Sequence, residues 1–165
     1  MSESARDEIF PLWPTWVGQL QLPGAEEANR ALADLAASPG VTGNLFEVDQ
    51  RAVIWLREWI VTAVGQWFEH VHVQPAPQWR LGGRLEALGF GHYRELANEP
   101  GAYLAGLYFV NAPAPPELDH LRSDSWPSHL SLFDPRVGFN ALALEGDPNF
   151  NEVRTLVPVA GMLML

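Results

Sequence analysis

The chain of 165 residues is 47% hydrophobic and contains no cysteine, which suits one domain around a single core and excludes disulfides, thiolate metal sites and a cysteine nucleophile. Its formal net charge of -10, with no continuous basic patch, argues against a nucleic-acid partner. The sequence shows neither a long apolar run of the membrane-helix type nor an N-terminal secretory signal, so we expect a cytoplasmic protein that does not bind membranes.

The N-terminal half is predicted to contain two helices. Residues 10–22 form an irregular, proline-containing entry that ends in a short strand. Small and apolar residues from Ala25 to Ala37 recur at helical spacing, and a Pro-Gly pair and a Ser-Pro-Gly sequence bracket them. A second amphipathic pattern predicts a helix with Asp49 as its N-cap that runs to about Phe68.

The pattern changes to short strands in the second half of the chain. We predict strands at residues 79–90, 102–110, 130–133 and 153–165, the last with a turn at Pro158 and Gly161. Helical residues (about 1–75) followed by strand-rich residues (about 76–165) indicate a single α+β domain. In such a domain two helices cover one face of an antiparallel sheet or half-open barrel.

A proline-rich loop is predicted between the strands, at residues 111–130. Loops of this length in a compact domain are either binding loops or lids, or disordered linkers, and the sequence leaves both interpretations open. Trp126 is the largest apolar residue of this loop. We expect it to pack on the body of the domain or to contact a ligand.

Five segments, taken in order, resemble the 2-oxoglutarate/Fe(II)-dependent oxygenases. They are FPLWPTW at 10–16, WLREWIVTAVGQWFEHV at 55–71, YLAGLYFV at 103–110, FDPR at 133–136 and LVPVAGMLML at 156–165. The family pattern runs roughly H-x-H-P-x-S-x-x-S-G-V-Y-Y-V, then F-x-D-P-R, then P-x-x-G-x-L-x-L-F-P. The resemblance implies a double-stranded β-helix, a jelly-roll or cupin-like barrel, with the two N-terminal helices packed on one face.

The resemblance also implies a chemistry. In this family Fe(II) is held by two histidines and a carboxylate, which leaves open positions for 2-oxoglutarate and oxygen. The implied activity is hydroxylation of an unknown substrate, a small molecule or a protein side chain.

The family's metal motif falls on residues 97–100, and we expect Asn98, Glu99 and Pro100 to form the lip of the barrel's cavity. Its first histidine corresponds to Ala97, which has no ligand atom, and its second to Glu99, which offers a carboxylate. His92 is the other candidate metal ligand, and in an extended segment it shares a face with Arg94. A structural or surface role for His92 is the plainer interpretation.

Two residues are candidates for cofactor binding by the same resemblance: Tyr108 on the predicted strand and Arg136 in the Asp-Pro-Arg turn. A surface ion pair is the simpler interpretation of Arg136. The family pattern continues beyond the position of Leu165 with a distal histidine and a keto-acid-binding arginine, so we expect a truncated or shortened barrel. His120 and His129 are interpreted as solvated loop residues, and His70 and His72 as favourable charge at the C-terminus of the second helix.

Two alternatives to an oxygenase remain open. The first is a non-catalytic barrel of the same ancestry that binds a ligand or partner, for which Ala97 is the main argument. The second is an assembly subunit, for example a homodimer, that pairs through an unpaired terminal strand at 159–165.

Overall fold

The computed structural model describes residues 15–38, 43–73, 77–89, 92–95, 97–112, 128–133 and 153–165. Within them the chain is mixed α+β, as predicted. In chain order the elements are β1 (Gln19–Gln21), α1 (Ala25–Ala37), a 3-10 turn (Leu45–Glu47), α2 (Arg51–His70), β2 (Leu107–Tyr108), β3 (Leu130–Phe133), β4 (Val153–Leu156) and β5 (Met162–Met164).

The first helix has the predicted bounds. Gly24 precedes it at φ 71, a left-handed conformation that glycine adopts without steric cost, and Ser38 ends it in an extended conformation. Its buried side is the predicted apolar stripe: Ala25, Ala28, Leu32 and Leu35. Because this stripe has helical period and sits between breakers, local sequence alone determines the element.

The second helix begins one residue later than predicted. Gln50, not Asp49, is its N-cap residue, and the helix continues to His70. Its buried residues recur at three- and four-residue spacing and face α1 and the sheet: Ala52, Val53, Leu56, Ile60, Ala63, Val64 and Phe68. None of the helices in the described ranges combines the length and the apolar character that a membrane crossing requires.

The larger sheet has three antiparallel strands in the order β1-β5-β2. Gln19 pairs with Met164, Leu20 with Leu163, and Leu107 pairs with Met164 from the other side. The prediction of an unpaired terminal strand at 159–165 is therefore wrong, because β5 is the central strand. Strands β3 and β4 form a separate two-stranded antiparallel sheet with Leu130 opposite Leu156.

The predicted strand at 79–90 does not form over its described residues, 79–89. The segment is irregular, although Leu81 and Leu85 still pack against the core while Arg84 and Glu86 are exposed. The predicted strand at 102–110 shortens to two residues, Leu107–Tyr108. Neither sheet closes within the described residues, so the barrel remains a prediction.

The core lies between the two helices and the larger sheet. Leu32 of α1, Val53 of α2 and Leu163 of β5 are almost completely buried. Burial of side chains of this size contributes about 1.5 to 3 kcal/mol each, so this layer supplies the main stabilisation of the described fold. The helices thus cover one face of an antiparallel sheet, as the sequence predicts.

Candidate functional site

Glu99 lies in an exposed ion-pair network. Its Oε1 accepts a hydrogen bond from Nη2 of Arg94 at 3.1 Å and is 3.6 Å from Nη2 of Arg84. Both arginines belong to the irregular stretches 77–89 and 92–95 that precede Glu99. The carboxylate proposed as a metal ligand is therefore held by two guanidinium groups of its own chain.

Glu86 completes the network and makes it a closed ring of four charges. Its Oε1 accepts a hydrogen bond of 2.6 Å from Nε of Arg84, and its Oε2 is 3.9 Å from Nη1 of Arg94. The hydrogen bond from Arg84 lowers the pKa of Glu86, and the same bond raises the pKa of Arg84. Each carboxylate thus lies between two arginines, and the ring, which we call the Arg-Glu ring, carries no net charge.

The side chain of Asn44 fixes the segment that carries Arg84. Its Oδ1 accepts hydrogen bonds from the N–H groups of Gly83 at 3.0 Å and Phe46 at 3.2 Å. Its Nδ2 donates to the carbonyl of Leu81 at 3.1 Å, and the N–H of Leu45 donates to the carbonyl of Gly83 at 2.8 Å. This side chain therefore substitutes for a strand partner beside the core.

His92 is exposed and lies close to Gly89. Its backbone N–H donates to the carbonyl of Gly89 at 3.0 Å, and a Cβ on Gly89 would lie 3.4 Å from Nδ1 of His92. Ala97 presents only a methyl group. Among the described residues, no three histidine, aspartate or glutamate side chains come together as a metal-binding group.

Tyr108 contacts both helices, and its described interactions do not involve the Arg-Glu ring. Its hydroxyl donates a hydrogen bond of 2.6 Å to Oδ1 of Asn29 on α1, and its ring meets Trp55 of α2 edge to face, with centroids 6.2 Å apart. Burial raises the pKa of Tyr108 to about 12, so its phenol is neutral at physiological pH. Sequence reasoning did not single out Asn29, because a lone asparagine on a polar helix face gives no signal.

A surface depression of about 500 Å³ lies at the start of α1, and residues 98–100 are not part of its wall. Its lining comes from the end of β1, the first turns of α1 and the turn before β5: Gln21, Leu22, Gly24, Ala25, Glu26, Glu27, Asn29, Arg30 and Ala160. Asn29 links this depression to Tyr108 through the hydrogen bond between them. Of the predicted site residues, Tyr108 is thus the one next to a described concavity.

Several of the remaining predicted residues fall outside the part of the chain that the structure describes. Arg136, Trp126 and His120 lie outside the described residues. His70, the last residue of α2, meets the ring of Trp16 edge to face at a centroid separation of 4.9 Å. The structure therefore does not bring His92, Glu99 and Tyr108 together in one described cluster.

Comparison of the chain with protein-family models, with curated proteins and with solved structures finds no match. The oxygenase relationship consequently depends on the sequence motifs and stays a prediction.

Proposed function

We propose that this chain is a non-catalytic relative of the 2-oxoglutarate/Fe(II)-dependent oxygenases, a barrel-type protein that binds a ligand or a partner without turnover. The observation that carries this proposal is the engagement of Glu99 by Arg94 at 3.1 Å and Arg84 at 3.6 Å. These contacts give Glu99 a structural role that needs no metal.

The donor set around Glu99 fits Fe(II) poorly. A site for this ion in the family uses two imidazoles and a carboxylate, whereas Ala97 supplies no donor atom. Two guanidinium groups within 4 Å of Glu99 also repel a divalent cation, and a cation that displaced them would break the Arg-Glu ring.

The barrel itself is part of the proposal. Antiparallel strands drawn largely from the second half of the chain, and two helices on one face of the larger sheet, are consistent with a double-stranded β-helix. Every described strand pair is antiparallel, as this architecture requires.

Dioxygenase activity with Fe(II) and 2-oxoglutarate is the second candidate function. Both arginine contacts use the Oε1 atom of Glu99, and its side chain is 46% exposed, so Oε2 is accessible to an ion from solution. A carboxylate that binds through one oxygen is a normal ligand of Fe(II) in such sites.

Anaerobic titration with Fe(II) separates the two functions. The non-catalytic proposal expects no stoichiometric binding and no consumption of 2-oxoglutarate by the unmodified chain. Ala97→His should raise the affinity for Fe(II) at least about tenfold, because it restores the missing imidazole, and adding Arg94→Gln should raise it further by freeing Glu99.

Ala33→His is the matched control, since it places a histidine on the exposed side of α1 without a carboxylate partner from the Arg-Glu ring. It should leave the affinity for Fe(II) unchanged. Stoichiometric uptake of Fe(II) by the unmodified chain, together with formation of succinate from 2-oxoglutarate, would overturn the non-catalytic proposal in favour of the dioxygenase.

A further inference from the structure

Strand β1 forms one edge of the larger sheet, and its outward backbone groups have no partner among the described residues. Gly18 and Leu165 exchange N–H to carbonyl hydrogen bonds of 2.9 and 3.0 Å, and the N–H of Leu22 donates to Gly161 at 3.0 Å. Because hydrogen-bonded residues alternate along an antiparallel pair, Gly18, Leu20 and Leu22 point their backbone groups towards β5. The N–H and carbonyl groups of residues 17, 19 and 21 therefore point away from the sheet.

Strand β1 is short, three residues, but residues 17–22 contain none of the side-chain or backbone features that block a further strand. Edge strands in soluble proteins are blunted by charged side chains, prolines or bulges, whereas residues 17–22 read Val-Gly-Gln-Leu-Gln-Leu. Val17, Gln19 and Gln21 are also exposed. An uncharged edge of this kind can accept a further strand of about five residues, or about 16 Å.

The two ends of β1 carry groups that suit a cationic strand. At the beginning, Trp16 is 47% exposed and presents an aromatic surface on which a lysine or arginine side chain can lie. At the end, the depression beside Gln21 is lined by Glu26 and Glu27, with Arg30 as its only cationic lining residue. The side chains that line the depression thus carry a net charge of -1, two glutamates against one arginine.

We propose that the edge of β1 binds an extended, basic segment of a partner protein by β-strand addition. Main-chain hydrogen bonds from residues 17, 19 and 21 would supply affinity, and the acidic depression and Trp16 would select for lysine and arginine. The formal net charge of -10 supports this choice of occupant, because it attracts a cationic segment at long range. The proposal does not depend on the Arg-Glu ring or on the absence of turnover.

A second copy of the chain is the competing occupant of the same edge. Two copies bring formal charges of -10 into proximity, and Glu26 and Glu27 of each copy would lie near the other's strand. This repulsion favours a basic partner over self-pairing.

Binding of short peptides to the full chain tests the proposal. The probe is an end-blocked heptapeptide of alternating lysine and valine, and the control replaces each lysine with glutamate. We expect the basic peptide to bind at least about tenfold more tightly than the acidic one at low salt, with affinity falling as ionic strength rises. Amide exchange measured by NMR should slow at residues 17, 19 and 21 and stay unchanged at Gly18 and Leu20, which already bond to β5.

Gln19→Pro is the decisive variant. It removes an outward N–H and no bond to β5, a position at which edge strands tolerate proline, so the sheet should persist while peptide binding is lost. Gln19→Thr keeps the N–H and should bind the peptide as the unmodified chain does. Glu26→Gln with Glu27→Gln should weaken binding at least about threefold, whereas the charge-matched pair Glu58→Gln and Glu69→Gln on exposed positions of α2 should not.

Three results would overturn the proposal. The first is equal binding of the basic and acidic peptides. The second is peptide binding that survives Gln19→Pro or leaves the exchange of residues 17, 19 and 21 unchanged. The third is a concentration-dependent dimer that Gln19→Pro dissociates, because self-pairing would then be the use of this edge.

Discussion

The hydroxyl of Tyr108 lies 2.6 Å from Oδ1 of Asn29, and this hydrogen bond joins the short strand β2 to the middle of α1. The two residues are far apart in sequence, and β2 has only two residues with which to hold its place in the sheet. The contact with Trp55 of α2 adds a second anchor for the same ring. Tyr108, assigned by resemblance to cofactor binding, therefore has a clear structural task.

Stability should fall at high pH because of Tyr108. Burial raises the pKa of its phenol in the folded chain to about 12, above the value of about 10 expected when the chain is unfolded. A raised pKa means that the stabilisation is complete below about pH 10 and is lost as the pH rises through about 12. Urea unfolding followed between these values should show the loss, and Tyr108→Phe should reduce this pH dependence.

At neutral pH Tyr108→Phe should lower the free energy of unfolding by about 1 kcal/mol, the usual contribution of one hydrogen bond, because it removes the bond to Asn29. Tyr93→Phe is the control, because Tyr93 is 77% exposed and should change neither quantity. If Tyr108→Phe loses stability at high pH as the unmodified chain does, the phenol of Tyr108 is not the cause of that loss.

Asn44→Ala should destabilise the fold by about 1 to 3 kcal/mol, since it leaves backbone groups of Leu81, Gly83 and Phe46 without their partner. Hydrogen exchange in residues 77–89 should accelerate more than in α2. Asn44→Asp keeps both accepted hydrogen bonds but places a carboxylate oxygen against the carbonyl of Leu81 in place of the donor. Its unfolding midpoint should lie between those of Asn44→Ala and the unmodified chain, and equal effects of the two variants would show that the accepted bonds contribute no more than this repulsion costs.

Two glycine substitutions should have opposite effects on the free energy of unfolding. A Cβ on Gly106 would lie 2.7 Å from the carbonyl oxygen of Met164, so Gly106→Ala forces β2 away from β5 and should cost about 1 to 3 kcal/mol. A Cβ on Gly65 in α2 would meet no atom within 4 Å. Gly65→Ala should therefore stabilise the helix by about 0.5 to 1 kcal/mol. Thermal unfolding should then show a lower midpoint for Gly106→Ala and a higher midpoint for Gly65→Ala.

Glu86→Gln should lower the urea midpoint slightly at neutral pH, and the difference should disappear at low pH and at high salt. The hydrogen bond from Arg84 lowers the pKa of Glu86, and a lowered carboxyl pKa gives stability that is present above the unfolded value and lost as the pH falls through the folded value. Salt screens the same exposed charges. Glu95→Gln, an exposed neutralisation outside the Arg-Glu ring, should show no such dependence.

Helix α1 could be predicted to the residue because its determinants are local, whereas the strand at 79–90 could not. The alternation of Leu81, Gly83 and Leu85 with exposed residues is real, and these three do face inwards. A strand also needs a continuous neighbouring backbone, however, and here the partners are the side chain of Asn44 and the backbone N–H of Leu45. The alternation of apolar and polar residues indicates which side of a segment is buried, but it does not indicate which groups form hydrogen bonds with the backbone of that segment.

The central position of β5 was likewise beyond local reasoning. Its three residues and the turn at Gly161, φ 83, were predicted, but its neighbours lie in distant parts of the sequence. The same limit applies to Glu99, whose motif position predicted a metal ligand. Only the approach of Arg84 and Arg94 in space reveals its two cationic partners.

The position of β5 between β1 and β2 has a consequence for biosynthesis. Residues 19–21 leave the ribosome well before residues 162–164, the strand to which they bond. Until Met164 emerges the larger sheet lacks its central strand, and closing so long a loop slows the completion of the sheet. During that interval the apolar side chains that Leu163 later covers are open to chaperones.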